Sequence, residues 1–329
     1  MPSLLIESLE MKEFRGIRAC EEPIELSNFT VLVGRNNSGK TAVLEALSLL
    51  PVFNFGQVRF PPVTWTWKDF MGILHGGLSS LIYGYAGEAV VRYVIRGKEV
   101  VQKFWPGGLT GPCHDGRPLS RGEMAGLLNV KNDEQLPTSV LLLPNDTRFL
   151  TELADSLRRE DEWTKVEKSG ANTAIVRDLI TKTVHDRFTE ATVRFNSIVL
   201  RKELRDGERV IYVKAKDLGD GIERILICGL WLETYKPRVV LWDDVETSAH
   251  PGLIEAVLEW LASRDWQVVL STHSYDVLER LVAIEPEGAS VVVLKKGSDD
   301  VLRPRVLSLD ELGEKMRKHV DIRRVVDIL

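Results

Sequence analysis

The clearest pattern of apolar and polar positions lies near the start of the chain, where a hydrophobic run leads into a glycine-containing turn. Residues 31–46 read VLVGRNNSGKTAVLEA, and the apolar run at 31–33 predicts a buried strand. The segment VLEALSLL after the turn predicts an apolar helix. Two or three further strands are predicted before this unit, from residues 3–9, residues 12–17 and the segment PIELSNF.

The middle of the chain has a weaker pattern. Residues 51–137 begin with an aromatic and Pro-rich stretch, and then alternate like two strands around the turn Arg96-Gly97-Lys98. Residues 138–143 (TSVLLL) predict a buried strand, and Asp146 is placed to cap a helix that runs through Leu157. A small β-rich lobe is therefore predicted after the first helix.

The last third of the chain alternates between apolar strands and amphipathic helices. Strands are predicted at residues 238–242 and 266–270, with a helix at residues 253–261 between them. One or two further strands, beginning with SVVVLKK, and a C-terminal helix follow. Alternation of this kind is typical of an α/β fold with a parallel sheet.

Composition changes this picture little. The 329 residues are 44% hydrophobic and 28% charged, as in globular proteins with one large domain or two moderate ones. The net charge of −5 excludes a chain-wide basic surface for nucleic acid, although residues 315–324 hold a basic cluster. Cys20, Cys113 and Cys228 lie far apart, so we expect neither a disulfide framework nor a metal site built on cysteine.

Targeting signals are not evident in the sequence. No apolar run is long enough to span a membrane, and the amino-terminal segment MPSLLIESLEMKEFRG lacks the pattern of a signal peptide. We therefore expect a cytoplasmic protein without a membrane partner.

The turn after the first apolar strand carries the first candidate chemistry. Gly34, Gly39, Lys40 and Thr41 fit the phosphate-loop pattern G-x-x-x-x-G-K-[ST]. Glycines let the backbone wrap a phosphate, and the following helix points its positive dipole end at the same anion. Lys40 is predicted to reach the β- and γ-phosphates, and Thr41 to bind Mg²⁺. The residues predicted to contact the nucleotide here are Gly34, Asn36, Asn37, Ser38, Gly39, Lys40, Thr41 and Ala42.

Two later segments point to the same kind of site. The turn Gly219-Asp220-Gly221 opens an apolar helix, and a helix amino terminus of this form is suited to an anion. Residues 238–244 (RVVLWDD) form an apolar strand that ends in two acids, which is the form of a Walker B element. The first acid, Asp243, is predicted to hold Mg²⁺.

These motifs, in this order, resemble the ABC-type ATPase heads of the SMC, Rad50, RecF and OLD proteins, and above all their small AAA15-type relatives. The resemblance rests on FRGI at residues 14–17, on LSNFTVLVGRNNSGKT at residues 26–41 and on the later motifs. It implies an α/β P-loop NTPase fold of the ABC-ATPase type, with a mixed central sheet, an antiparallel β-layer and a smaller inserted lobe.

The resemblance also implies how the chain is divided. Residues 1–329 would form a single head, with residues 1–50 and 215–329 as the nucleotide-binding core and residues 51–214 as an inserted β/α lobe. No long heptad array lies between the two parts of the core, so the long coiled-coil arms of SMC proteins are excluded.

Further site residues follow from the resemblance. In such heads the arginine of the FRG element lies beside the nucleotide, which points to Arg15. The alternative is that Arg15 is a solvated arginine at the end of a strand. The turn at residues 219–221 stands where the signature loop contacts the nucleotide of a second subunit, although Gly219 replaces the serine of LSGGQ. A glutamine of the inserted interval usually contacts Mg²⁺ and the attacking water, and Gln57 and His75 are the candidates here.

The resemblance gives the acids of the Walker B segment separate roles. Asp244 stands where the family has a glutamate that orients the attacking water. Because aspartate is one methylene shorter, its carboxylate lies about 1.5 Å farther from the water, a displacement that can cost ~10²-fold in rate. Glu246 resembles the second acid of the family's run and is expected to compensate in part. His273 resembles the switch histidine that bonds the γ-phosphate, and His250-Pro251 matches the RecF and OLD type of dimer loop.

The expected function is Mg²⁺-dependent ATP hydrolysis. ATP would close a homodimer, and this motion would act on a DNA-repair or defence partner, which could be DNA, a nuclease or another protein effector. Two alternatives remain open. One is an ATP-dependent binding switch in which Asp244 makes hydrolysis negligible. The other is the nucleotide-binding subunit of a transporter, against which the FRG start and the absence of LSGGQ argue.

Overall fold

The computed structural model describes residues 4–55, 61–184, 186–204 and 209–323. The strands of these residues are β1 (Ile6–Phe14), β2 (Ile17–Cys20), β3 (Ile24–Glu25), β4 (Phe29–Val33), β5 (Ala89–Ile95), β6 (Lys98–Trp105), β7 (Gly108–Leu109), β8 (Cys113–His114), β9 (Arg117–Pro118), β10 (Val140–Leu143), β11 (Phe188–Arg194), β12 (Ser197–Glu203), β13 (Val210–Lys214), β14 (Val239–Trp242), β15 (Gln267–Thr272), β16 (Ala289–Lys296) and β17 (Val301–Ser308). The helices are α1 (Lys40–Leu49), α2 (Trp67–His75), α3 (Arg121–Leu127), α4 (Leu136–Ser139), α5 (Thr147–Leu157), α6 (Glu160–Ser169), α7 (Ala171–Ile175), α8 (Thr181–Thr183), α9 (Asp220–Tyr235), α10 (Pro251–Ala262), α11 (Tyr275–Ile284) and α12 (Leu309–Arg317).

Parallel strands form the half of the large sheet on which the site is built. Their order is β10-β14-β15-β4-β16, and every neighbouring pair is parallel. Strands β4 and β14 are buried along their whole length, which explains why their sequences FTVLV and VVLW are apolar except for Thr30. The carboxyl ends of parallel strands meet at one edge of the sheet, so the loops after these strands converge there.

The other half of the sheet is mainly antiparallel. Strand β17 pairs antiparallel with β16 and leads through β2 and β1 to the hairpin β5–β6. The hairpin turns at residues 96–97, as the sequence pattern predicts. Strands β11, β12 and β13 form a separate three-stranded sheet. The predicted mixed sheet with an antiparallel layer is confirmed.

Helix α1 packs against strands from both halves of the sheet. It contacts β10, β14 and β15 on one side and β1 on the other, and every residue of α1 except Thr41 is buried. The Tyr93 hydroxyl of β5 donates a hydrogen bond of 2.7 Å to the carbonyl oxygen of Ala46. The Gln267 side chain joins β15 to the backbone of Ile6 at 2.7 and 2.9 Å. The helix behind the phosphate loop is therefore held rigidly.

The amino-terminal strands differ from the prediction. Residues 3–9 and 12–17 were expected to form two strands, but β1 runs unbroken from Ile6 to Phe14 and β2 begins at Ile17. The reason is that Glu10 and Met11 offer no turn chemistry, whereas Arg15, with φ 55°, and the following glycine form the real turn.

The predicted division at residues 50 and 215 stays a prediction. Strand pairing adds that β5 and β10, both from the interval 51–214, pair with β1 and β14 of the two flanking segments. No helix in the described ranges has the length and apolar character needed to cross a membrane.

Candidate active site

The loops that follow the parallel strands surround a cavity of about 500 Å³. The predicted residues that line it are Arg15, Asn36, Asn37, Ser38, Gly39, Lys40, Thr41, Ala42, Asp244 and His273. His75 and Lys296 line it as well. The sheet therefore brings together segments from the start, the middle and the end of the chain.

The phosphate loop is tightly folded. A Cβ atom on Gly34 would lie 2.4 Å from the Ser38 hydroxyl oxygen and 2.5 Å from the Leu294 carbonyl oxygen, so only glycine fits. Gly39 has φ +100°, a left-handed conformation that favours glycine. The Lys40 ammonium donates a hydrogen bond of 3.0 Å to the Gly34 carbonyl oxygen. Burial lowers the pKa of Lys40. An anion bound beside the ammonium group would favour its charged form.

Thr41 and Asp243 meet beside this loop. The Thr41 hydroxyl donates a hydrogen bond of 3.0 Å to Asp243 Oδ2, and the Ser271 hydroxyl donates one of 2.6 Å to Asp243 Oδ1. Burial raises the pKa of Asp243, and these two hydrogen bonds oppose the rise. A hydroxyl and a carboxylate are oxygen ligands of the kind that Mg²⁺ prefers, so this donor pair fits the expected cation.

Asp244 lies at the end of the cavity near His273. Its backbone has φ 46°, and its amide donates a hydrogen bond of 2.8 Å to the Ser271 hydroxyl. The Asn145 amide nitrogen donates a hydrogen bond of 3.1 Å to Asp244 Oδ2. His273 Nε2 lies 3.7 Å from Asp244 Oδ1. The second acid of β14 and the histidine after β15 therefore face the same space.

Glu246 lies beside the His273 loop, and its expected part in compensating for Asp244 stays a prediction. Its carboxylate accepts a hydrogen bond of 2.9 Å from the Thr272 hydroxyl and one of 2.7 Å from the His273 backbone amide. Arg323 supports the same loop by donating to the His273 carbonyl oxygen at 2.7 Å. Because both oxygens of Glu246 are engaged, the structure gives Glu246 the task of holding the His273 loop.

Glu45 is a functional candidate that sequence reasoning missed. It is 1% exposed, and its carboxylate pairs with Arg15 at 3.2 Å and with His75 Nε2 at 2.5 Å. Lys296, at the end of β16, donates to the Gly16 carbonyl oxygen at 3.0 Å beside them. The signal for Glu45 was a single charge inside the apolar helix sequence VLEALSLL.

Asn145 is a polar residue beside Asp244 that the candidates for the expected glutamine, Gln57 and His75, did not include. Gln57 lies outside the described residues, and His75 is held on Glu45. Asn145 instead follows β10, the neighbour of β14, and contacts Asp244. The signal that was missed is a polar residue directly after the buried parallel strand VLLL.

The signature-like turn belongs to a different part of the surface. Within the described residues, the turn at 219–221 lines a second cavity of about 800 Å³ together with Lys182, Ser248 and His250. A Cβ atom on Gly221 would lie 2.2 Å from the Ser248 carbonyl oxygen, so α9 begins packed against the segment after β14. The turn does not line the first cavity of its own chain.

Comparisons with known families agree with these motifs. Residues 5–70 match the family described as "AAA ATPase domain". Residues 130–279 match the family described as "AAA domain, putative AbiEii toxin, Type IV TA system". No curated protein matches the sequence.

The fold is similar to that of several solved SMC heads. An SMC head bound to the C-winged helix domain of ScpA matches with a TM-score of 0.61 and 15% identity, over 94% of this chain and 100% of that chain. An SMC head with an extended coiled coil, bound to the C-terminal domain of ScpA from Pyrococcus furiosus, matches with a TM-score of 0.59 and 14% identity, over 96% and 100%. The SMC head domain from Thermotoga maritima matches with a TM-score of 0.53 and 16% identity, over 93% and 100%.

The sheet order, the phosphate loop and the acids that follow β14 fit a P-loop NTPase whose fold is similar to that of the ABC-type SMC heads. Two stretches of the chain, residues 5–70 and 130–279, match models of AAA-type ATPase domains, and this resemblance implies nucleotide binding. The fold and the family resemblance expected from the sequence are both confirmed.

Proposed function

We propose that the protein binds Mg·ATP in the first cavity and hydrolyses it. The observation that carries this proposal is the convergence of the phosphate loop, the Thr41–Asp243 contact and the Asp244–His273 pair around one cavity. Lys40 and the loop amides bind the β- and γ-phosphates. Thr41 and Asp243 hold Mg²⁺, which neutralises phosphate charge when bound.

Asp244 and Asn145 orient the attacking water in this proposal. The carboxylate of Asp244 is held by Asn145 at 3.1 Å, and the Asn145 amide supplies the contact that a glutamine makes in related heads. His273 Nε2, which is partly exposed toward the cavity, donates to the γ-phosphate. These groups already face the cavity before the nucleotide binds, as preorganised electrostatic catalysis requires.

We also propose that two copies of the chain form a dimer that closes over the bound nucleotides. The turn Gly219-Asp220-Gly221 lies at the second cavity, where it is available to the nucleotide of another copy. Closure then acts on a DNA or protein partner, a nuclease included. The SMC heads similar in fold were solved with a domain of ScpA, and this favours a protein partner.

The test is ATP turnover by the purified protein with Mg²⁺, with and without double-stranded DNA. Mass measurements with and without ATP accompany it. We expect Mg²⁺-dependent turnover that Lys40→Ala abolishes, and a dimer of Asp244→Asn that forms only with Mg·ATP. A protein that turns over ATP yet stays monomeric as Asp244→Asn in Mg·ATP would refute closure while leaving the ATPase intact.

A second candidate is an ATP-dependent binding switch with negligible hydrolysis. The observation that favours it is the short Asp244 side chain, which is already engaged by Asn145. In this case wild-type turnover is close to zero, the dimer persists in Mg·ATP, and Asp244→Glu raises the rate sharply.

A further inference from the structure

Arg224 is a buried arginine with a partner at the active site. It lies one turn into α9, is 6% exposed, and donates a hydrogen bond of 3.2 Å from Nη1 to Asn145 Oδ1. Its Nε has no hydrogen-bond partner among the described residues. A buried guanidinium with an unused donor is costly, so a role beyond packing is indicated.

The contact of Arg224 sets the orientation of the Asn145 amide. Arginine can only donate, so the oxygen of the amide must face Arg224. The amide nitrogen then faces Asp244 Oδ2 at 3.1 Å, where a carboxylate can only accept. With Arg224 removed, the amide oxygen loses its donor, and the Asn145 side chain keeps only one of the two contacts that fix its position.

We propose that Arg224 is a positioning residue that links the signature-like turn to the hydrolytic acid of the same chain. This inference rests on the proposed function. Residues 219–221 line the second cavity and begin α9, and Arg224 lies on the next turn of the same helix. A γ-phosphate bound at this turn fixes the start of α9, and through Arg224 and Asn145 it fixes the Asp244 carboxylate.

The consequence is coupling between the two nucleotide sites of a dimer. A chain whose turn holds the partner's nucleotide has its own Asp244 oriented for hydrolysis. A chain whose turn is empty has a less constrained α9, and its Asp244 is less well oriented. Hydrolysis should therefore depend cooperatively on ATP.

The experiment compares Arg224→Met, Arg224→Lys and Asn145→Ala with a matched control, Arg264→Met. Arg264 pairs with Glu233 near the other end of α9, so the control loosens the same helix without contacting Asn145. We measure the kcat and KM of ATP hydrolysis, the Hill coefficient for ATP, and the thermal midpoint of each variant.

We expect Arg224→Met to lower kcat by about tenfold or more, because misplacement of a catalytic group by 1 Å can cost ~10²-fold. The KM should stay within about twofold and the Hill coefficient should fall toward one, since direct nucleotide contacts are kept. Arg224→Lys, which keeps one donor, should recover part of kcat. The double variant Asn145→Ala/Arg224→Met should be no slower than the slower single variant, because both break one link.

Two results would overturn the link alone. One is wild-type turnover with an Arg224→Met kcat no lower than that of Arg264→Met. The other is a double variant in which the losses multiply. A wild-type protein without turnover would instead refute the proposed ATPase, and the positioning role would fall with it because it requires a reaction.

Discussion

The Thr41 hydroxyl donates a hydrogen bond of 3.0 Å to the Asp243 carboxylate, although 202 positions separate the two residues. Thr41 is the single residue of α1 that is not buried, and Asp243 directly follows the buried strand β14. The sheet therefore delivers two oxygen ligands to one point beside the phosphate loop. This contact is where the phosphate loop and the Walker B strand become one site.

Removing the Thr41 hydroxyl should first weaken the binding of Mg²⁺ to the site. We expect Thr41→Ala to raise the Mg²⁺ concentration for half-maximal ATPase activity by about tenfold or more, in line with losses seen when metal-site partners are removed. Thr41→Ser, which keeps the hydroxyl, is the matched control and should stay near wild type. Equal Mg²⁺ dependence of Thr41→Ala and wild type would exclude Thr41 as a ligand.

The rate of ATP hydrolysis should depend on both the charge and the length of the side chain at position 244. Asp244→Asn should lower kcat by about 10²-fold or more while the affinity for ATP changes little, because the change removes an interaction made in the transition state. Asp244→Glu should also lower kcat, by about tenfold. The longer carboxylate leaves Asn145, and glutamate tolerates φ 46° less well than aspartate. Single-turnover rates and nucleotide binding test both variants, and a faster Asp244→Glu would support the switch instead.

Neutralising Glu45 should weaken nucleotide binding. Glu45→Gln removes the charge that holds Arg15 at 3.2 Å, so Arg15 loses its fixed position at the cavity. We expect the KM for ATP to rise by roughly tenfold, which corresponds to about 1.4 kcal/mol. The control is Glu10→Gln, because Glu10 pairs with Arg92 on the exposed face of β1 and β5. A KM that moves equally in both variants would exclude a specific role for Glu45.

Gly221 should not tolerate a side chain. A Cβ atom on Gly221 would lie 2.2 Å from the Ser248 backbone oxygen, so Gly221→Ala should destabilise the fold by about 1–3 kcal/mol. Gly122 is the matched control, because it is also the second residue of a helix and has nothing within 4 Å of such an atom. Gly122→Ala should instead stabilise by about 0.5–1 kcal/mol.

Denaturant unfolding of the two glycine variants measures these opposite shifts. The affinity of dimerisation in Mg·ATP is the second measurement, since the displaced segment at Ser248 lines the second cavity. A Gly221→Ala protein as stable as Gly122→Ala would mean that α9 can move away from Ser248 at no cost.

The basic cluster at residues 315–324, which the charge pattern indicates, is only partly described by the fold. Lys318 pairs with Glu314 at 2.5 Å, and Arg323 pairs with Asp321 at 2.7 Å while it also supports the His273 loop. Arg324 lies outside the described residues. Several of these cations are thus engaged within the chain, and nucleic-acid contact by this segment stays a prediction.

The sequence by itself determined the phosphate loop, the buried strands and the order of the motifs. This is because phosphate binding needs contiguous backbone amides from one short segment, so Gly34 to Thr41 can be read without the fold. Buried parallel strands can also be recognised, since burial on both faces favours an unbroken apolar run such as VVLW in β14.

Only the tertiary structure decided which polar residues meet. Asn145 reaches Asp244 across 99 positions and Arg224 reaches Asn145 across 79, and both contacts exist because β10 lies beside β14. The contacts of Glu246 with Thr272 and His273 are likewise not indicated by any local pattern. Strand order and side-chain direction are set by packing across the whole sheet, so a local pattern identifies the candidate groups but not their partners.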